Sequence, residues 1–255
     1  MKIAAIIPAR LKSTRLPNKL LLPIHDLPMI EHVRRRALMC ASLSEVVVAT
    51  CDEEIAEVVR SNGGRVVMTS DSHLNGTTRI AEAAAYVDCT HVLLLQGDEP
   101  LLLPRHVEAL AQAVVAEPEV ATWNLIGALD SIDELDRHSF VKCAIALPHR
   151  VLYCFRRSPN FSDFATQKTF VRKMLGIIAY RKDFLEKLTA LPASPIEKAE
   201  SIEQMRILEN GFDLSYVEVA PALPSINEPG ELQEVLDWLS ADPEQQSLLK
   251  AITAS

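Results

Sequence analysis

From Lys2 to Ile7 the chain is almost wholly apolar, the pattern of a parallel strand buried on both faces. Pro28 to Cys40 carries Met29, Ile30, Val33, Ala37 and Leu38 at helical spacing. Glu45 to Thr50 reads as a second strand, and Asp52 to Asn62 as a helix closed by Gly63 and Gly64. Val66 to Thr69 is a short strand, Thr77 to Val87 an alanine-rich helix, and His91 to Leu95 a strand that stops at QGDEP, residues 96 to 100. Pro104 to Ala116 is a helix and Val120 to Ile126 a strand. This alternation predicts βαβ units, hence an α/β fold with a mostly parallel sheet covered on both faces. Ligands of such sheets bind outside the carboxyl ends of the strands.

The second half is less regular. Lys142 to Leu147 and Val151 to Phe155 read as strands around Pro148-His149, Pro159 to Thr169 as a polar mobile loop, Leu175 to Tyr180 as a strand and Asp183 to Leu191 as a short helix. Pro195 to Gly211 reads as one helix, with proline just inside its start and glycine at its stop. Leu214 to Val219 is a strand. Pro229 to Leu239 is a helix whose Leu232, Val235, Leu236 and Leu239 are core positions, and residues 241 to 255 read as a peripheral tail. The expected organisation is one domain over 1–240, with nucleotide-binding residues to about 130 and the remaining functions after them.

Charge adds a local contrast. The chain has 255 residues and a formal net charge of -8, which argues against a nucleic-acid or anionic-membrane surface. Yet Arg10, Lys12, Arg15 and Lys19 crowd the loop after the first strand. A cationic loop at the carboxyl end of a buried strand calls for an anionic ligand, and a nucleoside triphosphate suits it. The loop lacks the glycines of a Walker A motif, so its side chains must meet the phosphates: arginine as a fork, lysine as a point charge. Asp98 ends another strand on the same side. It is either a Mg²⁺ ligand, sharing the ion with phosphates and water, or a turn and capping residue. In HLNGTTR, residues 73 to 79, Gly76 permits close backbone approach and Thr77 and Arg79 have donors for a base; a capping role for Asn75 or Thr77 is the alternative. Five cysteines without CxxC spacing read as free thiols in a reducing cytoplasm. The opening MKIAAIIPAR has too short an apolar run for a signal peptide, and no run reaches the roughly 18 apolar residues of a membrane helix.

IPARLKSTRLPNKLLLPIHDLPMIEHV, VVVATCDEEIAEVV, VVMTSDSHLNGTTRIAEA and LLLQGDEPLL, followed by VKCAIALPHRVLYCFRR, LGIIAYR, SPIEKAESIEQMRILENG and INEPGEL, together resemble the CMP-Kdo synthetases, the 3-deoxy-manno-octulosonate cytidylyltransferases. The resemblance spans roughly residues 2 to 238. It implies a three-layer, Rossmann-like fold of the nucleotide-diphospho-sugar transferase type, with a small lobe used for homodimerisation. It implies that CTP and a 3-deoxy-2-keto sugar acid (Kdo) give CMP-sugar and pyrophosphate for lipopolysaccharide synthesis. By position it implies triphosphate contacts from Arg10, Ser13 and Lys19, cytosine contacts from Gly76, Thr77 and Arg79, and sugar contacts from Gln96, Arg156, Glu203 and Gln204. Mg²⁺ would lie on Asp98 and Asn227, with Arg10, Lys19 and Asp98 carrying catalysis.

The departures fall on the acceptor and metal side. The family's Val-Asp-Thr-Pro-Glu-Asp-Leu is Ile226-Asn227-Glu228-Pro229-Gly230-Glu231-Leu232 here, so a neutral amide stands where the family has a carboxylate. The family's His-Leu-Gly is Met174-Leu175-Gly176, and its Ser-Gly-Thr-Glu-Arg is Asn75-Gly76-Thr77-Thr78-Arg79. Three expectations follow: a Kdo cytidylyltransferase, a cytidylyltransferase for a related acid sugar, or a weakly catalytic CTP-binding paralogue.

Overall fold

The computed structural model describes residues 1–12, 16–228 and 230–254. Along the chain lie β1 (Ile3–Ala9), β2 (Pro23–Ile24), β3 (Leu27–Pro28), α1 (Met29–Ala37), β4 (Glu45–Thr50), α2 (Glu53–Ser61), β5 (Arg65–Met68), α3 (Gly76–Ala84), β6 (His91–Leu95), α4 (Pro104–Ala116) and β7 (Thr122–Gly127). Then follow β8 (Lys142–Ala146), β9 (Arg150–Phe155), α5 (Phe164–Gln167), β10 (Val171–Arg181), α6 (Lys182–Ala190), α7 (Pro195–Glu200), α8 (Met205–Glu209), β11 (Ser215–Glu218), α9 (Glu231–Ala241) and α10 (Pro243–Thr253).

Nine strands form the central sheet in the order β5-β4-β1-β6-β10-β7-β11-β9-β8. The apolar run of β1 has the expected cause: alternate residues serve opposite cores. Ile3, Ala5, Ile7 and Ala9 join α1, α2, α4 and α9 on one face, while Ala4 and Ile6 join α3, α6 and α8 on the other. Each fully buried aliphatic side chain is worth roughly 1.5–3 kcal/mol, so a one-residue slip of β1 would lose both faces at once.

The sheet is mixed. β5, β4, β1 and β6 run parallel, as do β7 and β11. β10 enters antiparallel between β6 and β7, and its first residues also pair with β8. At eleven residues β10 is longer than the pattern from 175 to 180 suggests. Its register against β7 shifts between Met174 and Ile178, a bulge centred near Gly176.

Three further expectations change. The segment 195–211 is two helices, α7 and α8, separated at Ser201, whose φ of 54° ends α7 in the left-handed region. Within 159–169 lies the short helix α5, and its buried Gln167 accepts a hydrogen bond from Ser158 Oγ at 2.6 Å. The 241–255 segment is a docked helix. Asp242 caps α10 by accepting from Gln245 N at 2.8 Å, Gln245 and Ile252 are buried, and Arg35 donates to the Ile252 carbonyl. The Asp-Pro pair at 242–243 is a legible start signal for this helix.

Candidate active site

β1 and β6 carry their carboxyl ends to one side of the sheet. Beyond β1, Arg10 is exposed and its Nη1 reaches the Leu74 carbonyl at 3.5 Å. Leu11 N donates to Asp52 Oδ2 at 2.8 Å, which moors the loop to the end of β4. Asn18, at φ 57°, donates through its backbone to the Leu11 carbonyl at 3.2 Å and turns the chain into Lys19. Ser13 and Arg15 lie outside the described residues.

Lys19 is the centre of the site. Its Nζ pairs with Asp98 Oδ2 at 2.5 Å and donates to the Ile226 carbonyl at 3.1 Å. Both charged side chains are largely covered, at 13% and 19% exposure. The Asp98 carbonyl in turn accepts from Ile226 N at 2.9 Å. Three segments remote in sequence therefore meet, and Asn227 is held one residue from the junction. Asn227 N donates to Glu231 Oε2 at 2.6 Å, and its Nδ2 to Ser225 Oγ at 2.8 Å.

Glu99 belongs to this centre, and the sequence reading passed over it although it stands in QGDEP. Its Oε1 accepts from Gly176 N at 2.7 Å, and Gln96 N donates to the Gly176 carbonyl at 3.0 Å. Burial first, and the neighbouring Asp98 charge second, push the Glu99 carboxyl up to about 7; the Gly176 hydrogen bond works the other way.

On the α3 side, Asn75 caps the helix by accepting from Thr78 N at 3.0 Å. Gly76 presses against Pro8, where a Cβ would lie 3.1 Å from Pro8 Cγ. Thr77 N and Oγ1 both donate to Glu203 Oε2, at 3.1 and 2.5 Å. Arg79 turns inward: it is buried, and Nη1 donates to Thr69 Oγ1 at 2.6 Å and to the Ser70 carbonyl at 3.3 Å. It therefore shapes the 69–76 loop from below.

Gln204 Nε2 donates to Asn124 Oδ1 at 3.1 Å, and buried Asn124 donates to the Leu175 carbonyl at 2.9 Å. The predicted residues so form a nearly closed circuit. It runs from Arg10 through the 74–77 turn to Glu203, Gln204 and Asn124, then through the β10 bulge and Glu99 to Asp98, Lys19 and Asn227. Arg156 stands apart from it. Its Nε, Nη1 and Nη2 donate to the carbonyls of Glu200, His138 and Ser201 at 2.8, 2.8 and 3.1 Å. Met174 is buried and apolar, in the core that also holds Ile126 and Met205.

Comparison with known proteins gives the family. A family model described as cytidylyltransferase matches residues 4–217. The chain is 39% identical to the 3-deoxy-manno-octulosonate cytidylyltransferase of Geobacter metallireducens, over 94% of this chain and 98% of that one. It is 39% identical to the Escherichia coli protein of that name, over 92% and 94%. Among solved structures, CMP:2-keto-3-deoxy-manno-octonic acid synthetase complexed with CTP superposes with a TM-score of 0.87 at 38% identity, over 94% of this chain and 99% of that one. A cytidylyltransferase from Leptospira borgpetersenii, at 18% identity and a TM-score of 0.67, shares the fold. The nine-stranded mixed sheet is thus that of a nucleotidyltransferase, and the chain belongs to the cytidylyltransferase family, among the 3-deoxy-manno-octulosonate cytidylyltransferases.

Proposed function

We propose that this protein activates 3-deoxy-manno-octulosonate with CTP, giving CMP-Kdo and pyrophosphate for lipopolysaccharide synthesis. The observation that carries the reading is the meeting of Lys19, Asp98 and the 226–227 segment at the carboxyl ends of β1 and β6. It is supported by 38% identity to a structure complexed with CTP.

In the reaction the anomeric hydroxyl oxygen bonds to the α-phosphorus while the bond from that phosphorus to the β-bridging oxygen breaks. The hydroxyl proton passes to water, and pyrophosphate leaves with the bond electrons. Such a transfer needs alignment and charge neutralisation more than covalent help from the protein. Arg10 and Lys19 meet the triphosphate, together with Ser13. Gly76, Thr77 and Arg79 form the base side, with Gly76 giving the backbone room and Arg79 holding the loop. Gln96, Glu203 and Gln204 face the acceptor.

Asp98 and Asn227 fit a magnesium ion of one kind. Among the described residues no group of three or more His, Cys, Asp or Glu converges. One carboxylate and one amide carbonyl leave most positions to phosphate oxygens and water, which is how Mg²⁺ is usually held. When bound it would neutralise phosphate charge.

We further place the protein in the cytoplasm as a homodimer. All five cysteines are free thiols, and among the described residues no helix is long and apolar enough to cross a membrane. The β8–β9 region leaves Leu147 and Leu152 exposed, with Phe161 beyond it; scattered over a monomer these would be unremarked, but on one lobe they suit a second copy. A related acid sugar is the second reading, favoured by Met174, which brings no hydrogen-bonding group to the acceptor side.

The test is pyrophosphate release with CTP, Mg²⁺ and a panel of 3-deoxy-2-keto sugar acids, run beside Asn227→Asp. Release with Kdo is expected. CTP binding without release from any sugar would overturn the enzyme reading, and turnover confined to another acid would select the second. Release only from Asn227→Asp would identify the paralogue.

A further inference from the structure

Asn124 puts an amide in the middle of a strand whose every residue is buried. A polar group there is costly unless its hydrogen-bonding atoms find partners. The bulge in β10 supplies one. Between the pairs Met174–Ile126 and Ile178–Asn124, β10 carries Leu175, Gly176 and Ile177 where β7 has only Leu125. Extra residues of this kind fall out of the ladder, and the Leu175 carbonyl turns to the Asn124 side chain. Asn124 Nδ2 donates to it at 2.9 Å and to the Leu125 carbonyl at 2.7 Å.

Those two carbonyls fix which end of the amide is which. A carbonyl only accepts, and an amide nitrogen has two protons to give. Both are spent, so Oδ1 points the other way, and it too can only accept. It meets Gln204 Nε2 at 3.1 Å. A Gln204 amide turned by half a rotation would set one carbonyl oxygen against another and leave the buried Oδ1 without a donor. The orientation is thus handed from Leu175 through Asn124 to Gln204. Gln204 itself is only partly covered. Its Oε1 is left as an acceptor, beside Glu203, whose Oε2 is already taken by Thr77 N and Oγ1.

We propose that Asn124 is a positioning residue that sets the polarity of Gln204, so that position 204 offers the sugar acid a hydrogen-bond acceptor and selects a hydroxyl there over a group that cannot donate. The hold on Gln204 is a property of the free protein; its consequence for the sugar rests on the cytidylyltransferase reading above.

The experiment compares Asn124→Leu, Gln204→Leu and the double variant in the full chain. The Gln204 side-chain amide, identified in nitrogen-15 NMR by its loss from Gln204→Leu, reads the hold without any substrate. Its protons should exchange more slowly than those of a free glutamine in the parent and at the free rate in Asn124→Leu. Pyrophosphate release, with CTP and the sugar varied in turn, reads the consequence. Asn124→Leu should raise the KM for Kdo about tenfold, the upper scale of one neutral hydrogen bond, with the KM for CTP unchanged. The double variant should be no worse than Gln204→Leu, because Asn124 acts through Gln204. Analogues of Kdo in which each hydroxyl but the anomeric one is replaced in turn by fluorine, which cannot donate, read the polarity. One of them should be disfavoured about tenfold by the parent and hardly at all by either single variant.

A parental KM for Kdo in Asn124→Leu would overturn the proposal. So would losses that add in the double variant, or fluorine penalties that are the same in parent and variants. If Asn124→Leu does not fold, Asn124→Ser takes its place: its hydroxyl can still donate to a carbonyl but is too short to reach Gln204 as well, and the same changes are expected. Should no acid sugar release pyrophosphate, the functional reading falls while the NMR arm still decides: a Gln204 amide that exchanges freely in the parent would end the role of Asn124.

Discussion

Replacing Gly176 with alanine tests how closely the bulge in β10 controls the reacting centre. A Cβ at that position would lie 2.4 Å from Glu99 Oε1, 2.7 Å from Gln96 Cγ and 3.0 Å from Gln96 Cβ. Comfortable contact needs about 3.5 Å or more, so the methyl must displace Glu99 and Gln96 by roughly 1 Å. Moving Glu99 breaks its bond to Gly176 N, worth roughly 1.5–3 kcal/mol for a charged acceptor. Overpacking adds about 1–3 kcal/mol. The expected loss of unfolding free energy is therefore about 2.5–6 kcal/mol, read by urea denaturation. Asp98 lies between the two displaced residues, and misplacement of about 1 Å costs roughly 10²-fold in rate; pyrophosphate release measures it. Gly230→Ala is the control: nothing lies within 4 Å of its Cβ position and its φ is -70°, so the change should stay within about 0.5 kcal/mol. A Gly176→Ala protein with parental activity, destabilised by less than about 1 kcal/mol, would refute the reasoning, since ordinary surface changes produce as much.

Lys19→Met should lower kcat/KM for pyrophosphate release by about 10²–10³, the scale of losing one electrostatic contact to developing charge, while circular dichroism shows the fold retained. His32 is fully buried, its Nε2 2.8 Å from the Ile24 carbonyl, and burial is the main cause lowering its pKa to about 4. Because the folded value lies below the unfolded one near 6.5, the unfolded chain takes the proton first. The stabilisation is complete above about pH 6.5 and drains away as pH falls toward 4, by about 3 kcal/mol in all; His32→Gln should flatten that part of the stability–pH curve. Truncation after Asp242 removes α10, including buried Gln245 and Ile252, and the Ile252 carbonyl that Arg35 engages. It should cost about 2–5 kcal/mol, as for loss of a buried side chain and its polar partners, and a melting temperature unchanged on truncation would show that the helix is dispensable.

Much of the fold was legible because one period governs each element. Glu45–Thr50, His91–Leu95 and Pro104–Ala116 fall where the pattern places them. The convergence of Lys19 with Asp98 followed from a topological rule: both sit at carboxyl ends of strands in an α/β sheet. Legibility ended where a residue's environment is set by a distant partner. Arg79 looked like a base contact from its place beside Gly76 and Thr77, but it is buried against Thr69 and Ser70. Glu99 looked unremarkable beside Asp98; only its bond to Gly176 shows that it couples the Asp98 turn to β10.

Local pattern alone was enough for most strands and helices of the first half and for the burial of β1 on both faces, and it raised the expectation of an anion at the first loop. Those are nearest-neighbour properties: side-chain period, turn chemistry and charge density. The antiparallel entry of β10 and the bonding of Arg156 to backbone carbonyls came from three-dimensional packing. Each depends on carbonyls or hydrogen-bond donors supplied from 18 to 45 residues away or more, and no spacing within a helix or strand records where such a partner will lie.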